Sequence, residues 1–165
     1  MVISLKALLN DWKYGRSIIL AFLEELSEED LTKELPRKKQ NTIRLQIEEL
    51  VWIQRDFLDA LSTKKLTFTE EKNLVSVNSL PKHEIKGIMG DLDAKLENIL
   101  RTSTGNEIID HSGSTWHGGG MKNIHEHISI LLGHEQMHIG QIIGFCHAVG
   151  IDIPQSIVTK MMLGD

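Results

Sequence analysis

The chain has 165 residues, a length typical of one domain, and its 41% hydrophobic residues are enough for a buried core, which argues against intrinsic disorder. The formal net charge of -5 argues against a protein built mainly to hold nucleic acid, and the single cysteine, Cys146, excludes an intramolecular disulfide and a cysteine-based zinc site. No segment approaches the apolar length of a membrane span or a signal peptide, so we expect a cytoplasmic protein that does not enter a membrane.

The first half of the chain contains two amphipathic segments with helical periodicity. Over residues 5–26, and again over residues 41–61, apolar side chains recur every three or four positions. Asn41 or Thr42 is suited to cap the second helix. Gln54 interrupts the apolar stripe of that helix, which indicates a cavity beneath it or a polar partner.

A long connection is predicted over residues 62–80, which have few helix formers and include a stretch suited to an extended conformation. Pro81 suits the first turn of a third helix, which continues to about Arg101. Residues 102–120 have the composition of a loop.

The fourth predicted helix is the longest, from about Met121 to Val149, and Gly150 is placed to end it. A short C-terminal helix follows over residues 155–162. Four amphipathic helices with one long crossover between the second and the third predict an all-α four-helix bundle, in a single domain over residues 1–165.

Histidines are concentrated in the last third of the chain, where seven of the eight lie between His111 and His147. Within the predicted fourth helix, His134 and His138 are four residues apart, which places both imidazoles on one face, about 40° apart around the axis. They lie at the edge of the apolar stripe, aimed at a neighbouring helix. This arrangement is typical of half of a divalent metal site, and a hydrogen-bonded pair of core histidines is the alternative.

Glu135 lies between the two histidines and completes an HExxH pattern. Because it falls nearer the middle of the apolar stripe, its carboxylate needs a buried cation or a hydrogen bond from a histidine. Zinc proteases with this pattern take a third ligand downstream, but Gln141 and Gly144 occupy the expected glycine and histidine positions. No glutamate follows Glu135, so the sequence argues against both kinds of zinc protease.

Several residues near this helix receive simpler predictions. Cys146 lies in the apolar stripe and is predicted to be an inert core thiol. His127 is predicted to face solvent, and Trp116 and His117 are candidates for the rim of a pocket.

The C-terminal part of the last long helix also resembles a known family. Residues 134–154 (HEQMHIGQIIGFCHAVGIDIP) resemble the last-helix signature of the DinB-like superfamily, which is a histidine pair four apart, a following Gly-Gln and an exit through glycine and proline. Residues 9–16 resemble the opening of the family's first helix, and residues 41–58 resemble its second helix. The resemblance therefore covers most of the chain.

This resemblance implies a bundle with a long crossover, commonly dimeric, and a divalent metal held by three histidines, often zinc or nickel, with iron or manganese as further options. Two of these ligands correspond to His134 and His138. The third family position lies on the second helix just before Leu50, where this chain has Glu49. Either Glu49 replaces the histidine, since a carboxylate is a sound ligand, or the site is disabled. Gln46 lies nearer that helix's apolar stripe, at about 60° from its centre against about 120° for Glu49.

Some members of the superfamily resemble metal-dependent transferases of low-molecular-weight thiols such as bacillithiol. On this resemblance we predict a metal-dependent thiol S-transferase that acts on a small-molecule substrate, with Glu135 orienting a ligand imidazole or moving a proton. A metal-dependent hydrolase and a non-catalytic dimeric bundle with a degenerate site are the alternatives. Some relatives are induced by DNA damage, but this stress response describes when the gene is expressed and not what the protein does. Nothing in this acidic chain indicates binding to nucleic acid.

Overall fold

Four long helices make up most of the structure. The computed structural model of the chain describes residues 4–35, 38–69, 76–115 and 118–163. The elements in chain order are α1 (Leu5–Glu25), α2 (Glu28–Thr32), α3 (Ile43–Thr63), α4 (Lys82–Thr102), β1 (Ile108–Asp110), β2 (Met121–Asn123), α5 (Ile124–Val149) and α6 (Gln155–Met161).

The long helices are arranged as a bundle in which α1 and α3 each pack against both α4 and α5. The predicted all-α fold with a short C-terminal helix is therefore confirmed. The connection between α3 and α4 covers residues 64–81, of which residues 70–75 fall outside the described ranges. No helix in the described ranges combines the length and the apolar character needed to cross a lipid bilayer.

Local sequence signals set the helix ends. The Thr42 side chain accepts a hydrogen bond from the backbone N–H of Leu45 and caps α3. Of the two candidate caps, Asn41 and Thr42, the structure therefore uses Thr42. Gly150 ends α5 in the left-handed conformation, with φ of 68°, which glycine adopts without steric cost. Pro154 precedes the first residue of α6.

The predicted start of the fourth helix at Met121 is wrong, because residues 121–123 form β2 and pair antiparallel with β1. The prediction of a loop over residues 102–120 likewise missed β1. Asn123 and Glu126 form a capping box in which each side chain accepts from the backbone N–H of the other, so α5 begins at Ile124. The start of the α3–α4 connection joins this small sheet, since the backbone N–H of Leu66 donates to the carbonyl of Asp110 at 2.8 Å.

The core consists of two apolar clusters with a polar layer between them. One cluster includes the C-terminal half of α1, the N-terminal half of α3 and the C-terminal part of α5. The other includes the opposite ends of the same helices. Buried polar residues occupy the positions between the two clusters on these helices, namely Arg16 on α1, Gln54 on α3, and His134 and Glu135 on α5. This layer and its surroundings contain the candidate site.

Candidate metal centre

The two histidines of the HExxH pattern face each other inside the bundle. His134 and His138 lie one helical turn apart on α5 and are 6% and 2% exposed. Their Nε2 atoms are 3.1 Å apart, which brings two ring nitrogens to one point, as the four-residue spacing predicts.

Glu49 extends from α3 to the same point. Its Oε1 lies 3.9 Å from Nε2 of His134, and its Oε2 lies 3.8 Å from Nε2 of His138. One ligand atom from each of the three residues lies within 4.8 Å of the others. The structure therefore brings together the three residues that the sequence analysis singled out as metal ligands.

Gln46 fixes the orientation and the protonation of His138. Its Oε1 contacts Nδ1 of His138, and its Nε2 donates to the backbone carbonyl of Gln40 at 3.0 Å. An amide oxygen only accepts, so Nδ1 of His138 carries a proton, and in the neutral imidazole Nε2 then carries the lone pair that a metal ion needs. A metal-ligating histidine is usually held by such a second contact.

This donor set fits a divalent metal ion. In tetrahedral zinc sites with metal–ligand distances of about 2.1 Å, the ligand atoms lie about 3.4 Å apart. The separations between Nε2 atoms and to the carboxylate oxygens, 3.1 to 3.9 Å, bracket that value. Three protein ligands leave at least one position for water or substrate, as in catalytic zinc sites.

A groove of about 540 Å³ borders the centre on the α3 side. Glu49 is part of its lining and is 23% exposed at the side chain, in contrast to the two buried histidines. Trp52, Ile53 and Phe68 supply apolar lining. Of the three candidate ligands, only Glu49 lines this groove, so its carboxylate connects the groove to the centre.

Glu135 points away from the centre, towards α1. Its nearest charged neighbour is Arg16, whose Nη2 lies 3.5 Å from Oε2, and its Cγ lies close to Gly15. Neither carboxylate oxygen makes a hydrogen bond to a described residue, so the expected hydrogen bond to a ligand imidazole is not present. Burial raises the pKa of Glu135 to about 7, in opposition to the attraction of Arg16.

Arg16 connects all four long helices and supplies the partner that Gln54 was predicted to need. Its Nη2 donates to Oε1 of Gln54 at 2.8 Å, and its Nε lies 3.2 Å from the carboxylate of Asp93 on α4. Gln54 and Trp12 both donate to Asp93 at 2.9 Å. This network places the turn of α5 that carries Glu135 against α1, α3 and α4.

A second histidine pair lies in the core, away from the candidate centre. His127 was predicted to face solvent, which is wrong: it is fully buried, because the β1–β2 segment covers this part of α5 and supplies a polar partner. Its Nε2 donates to the carbonyl of Phe57 at 3.0 Å, and its Nδ1 accepts from Nε2 of His111 at 2.8 Å. Burial lowers the pKa of His127 to about 4, so the imidazole is neutral at pH 7.

The remaining predictions for individual residues have different outcomes. Cys146 is buried, and burial raises the pKa of its thiol to about 11, in agreement with an inert core residue. Trp116 and His117, the predicted pocket rim, lie outside the described residues. Gln46 was noted only for its position on the helical wheel; its role as a partner of His138 had no separate signal in the sequence.

Comparison with known proteins assigns the family. A family model described as the DinB superfamily matches residues 12–142, which include most of α1, all of α3 and α4, and both histidines of the centre. A search of curated proteins finds no match. Because the family model covers most of the chain, the protein belongs to the DinB superfamily.

Proposed function

We propose that Glu49, His134 and His138 hold a divalent metal ion, and that this ion activates a small thiol for transfer to an electrophilic substrate. The observation that carries the proposal is the convergence of one carboxylate and two imidazoles from α3 and α5 within 4.8 Å. Membership of the DinB superfamily supports it, because the resemblance implies a metal at the same two histidines.

The chain's own residues have distinct parts in this proposal. Gln46 holds the Nδ1 proton of His138, so that the Nε2 lone pair is available. The burial of both histidines keeps water from one side of the centre. Glu49 contributes negative charge and faces the groove, through which a substrate reaches the centre. A divalent ion bound there lowers the pKa of a thiol ligand and so supplies a thiolate at neutral pH.

The proposed reaction is a substitution at carbon. The thiol gives its proton to solvent, and the sulfur lone pair forms a carbon–sulfur bond with the electrophile. The bond from that carbon to the leaving group breaks at the same time, and the leaving group departs with the bonding electron pair. The products are a thioether, the leaving group and the released proton, with no net oxidation.

We expect zinc or nickel at the centre because imidazole nitrogen suits both ions, while the carboxylate keeps iron and manganese as candidates. For Glu135 we propose a positioning role, in which its contact with Arg16 orients the turn of α5 that carries both histidines. The Glu135→Gln variant, whose amide oxygen can still accept from Arg16, should keep the parent's metal content, and loss of the metal would show that the negative charge at this position is needed.

The first test is the metal content of the untagged protein, purified without chelator and measured by elemental mass spectrometry. We expect about one equivalent of one divalent metal in the parent, and loss in both His134→Ala and Glu49→Ala. The His147→Ala variant is the matched control, because His147 lies on the same helix but is exposed and outside the centre. No metal in the parent after reconstitution would overturn the proposal and favour a non-catalytic bundle.

The second test separates transfer from other activities. The metal-loaded protein is incubated with a panel of small thiols and an alkyl halide or epoxide, and the thioether is measured by mass spectrometry. Thioether formation above the rate of the His138→Ala variant supports the transferase. Turnover of an ester with no thiol added would favour the hydrolase instead. The proposed homodimer and cytoplasmic location stay predictions, and sedimentation velocity tests the first.

A further inference from the structure

Gln40 lies shortly before α3 and has a backbone conformation that is unusual for its place in the chain. Its φ is 41°, in the left-handed region that residues with a side chain rarely adopt. The other two non-glycine residues with positive φ in the described ranges are Lys64 and Met162, and each of them is the C-cap of a helix, where this conformation is common. Gln40 precedes a helix, so the end of a helix does not account for its conformation.

The loop around Gln40 is held by contacts on both sides. The backbone N–H of Leu35 donates to the carbonyl of Asn41 at 3.0 Å, and Thr42 caps α3. Between these contacts, the carbonyl of Gln40 accepts from Nε2 of Gln46 at 3.0 Å. A strained backbone persists only where the surrounding structure determines it. The contact with Gln46 is the one that depends directly on the direction of the Gln40 carbonyl.

This carbonyl determines which end of the Gln46 amide faces His138. A carbonyl oxygen only accepts, so the amide nitrogen of Gln46 faces Gln40 and the amide oxygen contacts Nδ1 of His138. The two ends of a side-chain amide have nearly the same shape, so the packing around the fully buried Gln46 does not choose between them. The hydrogen bond from Gln40 makes that choice.

The opposite orientation of the amide would change the candidate metal centre. An amide NH2 group facing His138 would donate to Nδ1, and the proton of the neutral imidazole would then lie on Nε2. That atom is 3.1 Å from Nε2 of His134 and 3.8 Å from Oε2 of Glu49. A nitrogen that carries a proton has no lone pair for a metal ion, so this tautomer of His138 cannot serve as a ligand through Nε2.

We propose that Gln40 is a positioning residue whose left-handed backbone sets the tautomer of His138 through Gln46. The conformation at position 40 directs the carbonyl to Gln46, the carbonyl orients the amide, and the amide holds the proton of His138 at Nδ1. The inference rests on the proposed function for the role of the metal, but the tautomer itself is a property of the metal-free protein.

The first readout is the tautomer of His138 in metal-free protein, measured by long-range 1H–15N NMR at pH 8, where ordinary imidazoles are neutral. Its signals are assigned by their absence from His138→Gln. We expect the proton at Nδ1 in the parent. Valine is β-branched and disfavours positive φ, so Gln40→Val should turn the carbonyl away and move the proton to Nε2 in a large share of molecules. Gln40→Gly and Gln40→Asn adopt the left-handed conformation readily and should keep the parent's tautomer, although both lose the original side chain.

The second readout is the zinc affinity, measured by competition with a chromophoric chelator. Gln40→Val should bind zinc about ten- to a hundredfold more weakly, the usual loss when the second contact of a ligand histidine is disturbed, while the glycine and asparagine variants stay close to the parent. Lys64→Val is the matched control, because it places valine at a left-handed position at the other end of α3. It should lower the stability to urea and leave the tautomer and the zinc affinity unchanged. If Gln40→Val does not fold, Gln40→Thr, which is also β-branched, replaces it.

The two readouts separate this inference from the proposed function. If the parent binds no zinc but His138 changes its tautomer in Gln40→Val and not in Lys64→Val, the metal function fails and the inference stands. If the parent binds zinc and Gln40→Val keeps the proton at Nδ1, the metal function stands and the inference is overturned. A proton at Nε2 in the parent, or an equal change in Gln40→Gly, would overturn it as well.

Discussion

Replacing Gln46 by leucine tests whether the contact to His138 supports the metal centre. Gln46 is fully buried, and leucine has a similar size, so the change removes polar contacts with little change in packing. His138 loses its acceptor at Nδ1, and the Gln40 carbonyl loses a donor at 3.0 Å. Loss of such a contact to a metal-ligating histidine typically costs ten- to a hundredfold in metal affinity, or about 1.4 to 2.7 kcal/mol. The metal-free protein should also lose about 1 to 3 kcal/mol of stability.

The affinity is measured by competition for zinc with a chromophoric chelator, and the stability by urea unfolding of the metal-free forms. The Gln54→Leu variant is the matched control, because Gln54 is also fully buried on α3 but bonds Arg16 and Asp93 instead. It should lose stability with a smaller loss of zinc affinity than Gln46→Leu, because its partners are Arg16 and Asp93 and not a ligand imidazole. If Gln46→Leu binds zinc within twofold of the parent, or if both variants lose affinity equally, Gln46 does not position the ligand.

Three further predictions concern the ligand set, the second histidine pair and the loop before β2. The Glu49→His variant should keep about one equivalent of metal, because imidazole is also a ligand, and elemental analysis that finds none would show that the carboxylate itself is required. Because the pKa of His127 falls from 6.5 to about 4 on folding, the unfolded chain binds more protons between these pH values, so stability should fall with acid, by up to about 3 kcal/mol near pH 4. Urea unfolding across this range should show a smaller slope for His127→Gln, and an unchanged slope would assign the acid sensitivity elsewhere. In thermal unfolding, Gly119→Ala should destabilise the protein by about 1 kcal/mol or more beyond Gly118→Ala, although both glycines have positive φ. A Cβ added at position 119 would lie 2.8 Å from the carbonyl oxygen of Ser114. A Cβ added at position 118 would have no described atom within 4 Å outside its chain neighbours. Equal losses would show that the loop adjusts to the contact.

The four long helices could be predicted from sequence because each one places an apolar stripe on one face and has recognisable ends. Thr42 and Gly150 are examples, since a hydroxyl cap and a left-handed glycine act within a few residues of chain. The β1–β2 pairing had no comparable signal. Each strand has only three residues, and their pairing depends on contacts across the intervening loop and with Lys65 in the α3–α4 connection. Short strands without alternation are indistinguishable from loop by composition.

The candidate site was predictable to the extent that it depends on spacing within one helix. His134 and His138 converge because residues four apart share a face, whatever the partner helix does. The helical wheel of α3 could not choose between Gln46 and Glu49, because it gives angles about one axis and not the rotation of α3 against α5. In the structure both residues reach His138, one at each ring nitrogen.

Buried charge was the least predictable feature, because its partners come from distant parts of the sequence. The sequence indicated that Glu135 needs a cation or a hydrogen bond, and Arg16 lies 3.5 Å from it, more than a hundred residues earlier in the chain. The burial of His127 was missed for the same reason, because its partners are also distant in the sequence. Its position on α5 indicated solvent, and only the packing of His111 and Phe57 shows that it is buried.

The position of the carboxylate at residue 49 supports an altered metal site over a disabled one. Two buried imidazoles at 3.1 Å can share one proton in a hydrogen bond, whereas a divalent ion between them needs negative charge nearby to offset its own. Glu49 supplies that charge within 3.9 Å of both Nε2 atoms. Gln46 holds His138 from the other side, at Nδ1, so the Nε2 atoms of both rings and the Glu49 carboxylate face one point. The arrangement therefore favours a site with two nitrogens and one carboxylate, whose lower net charge distinguishes it from a three-histidine centre.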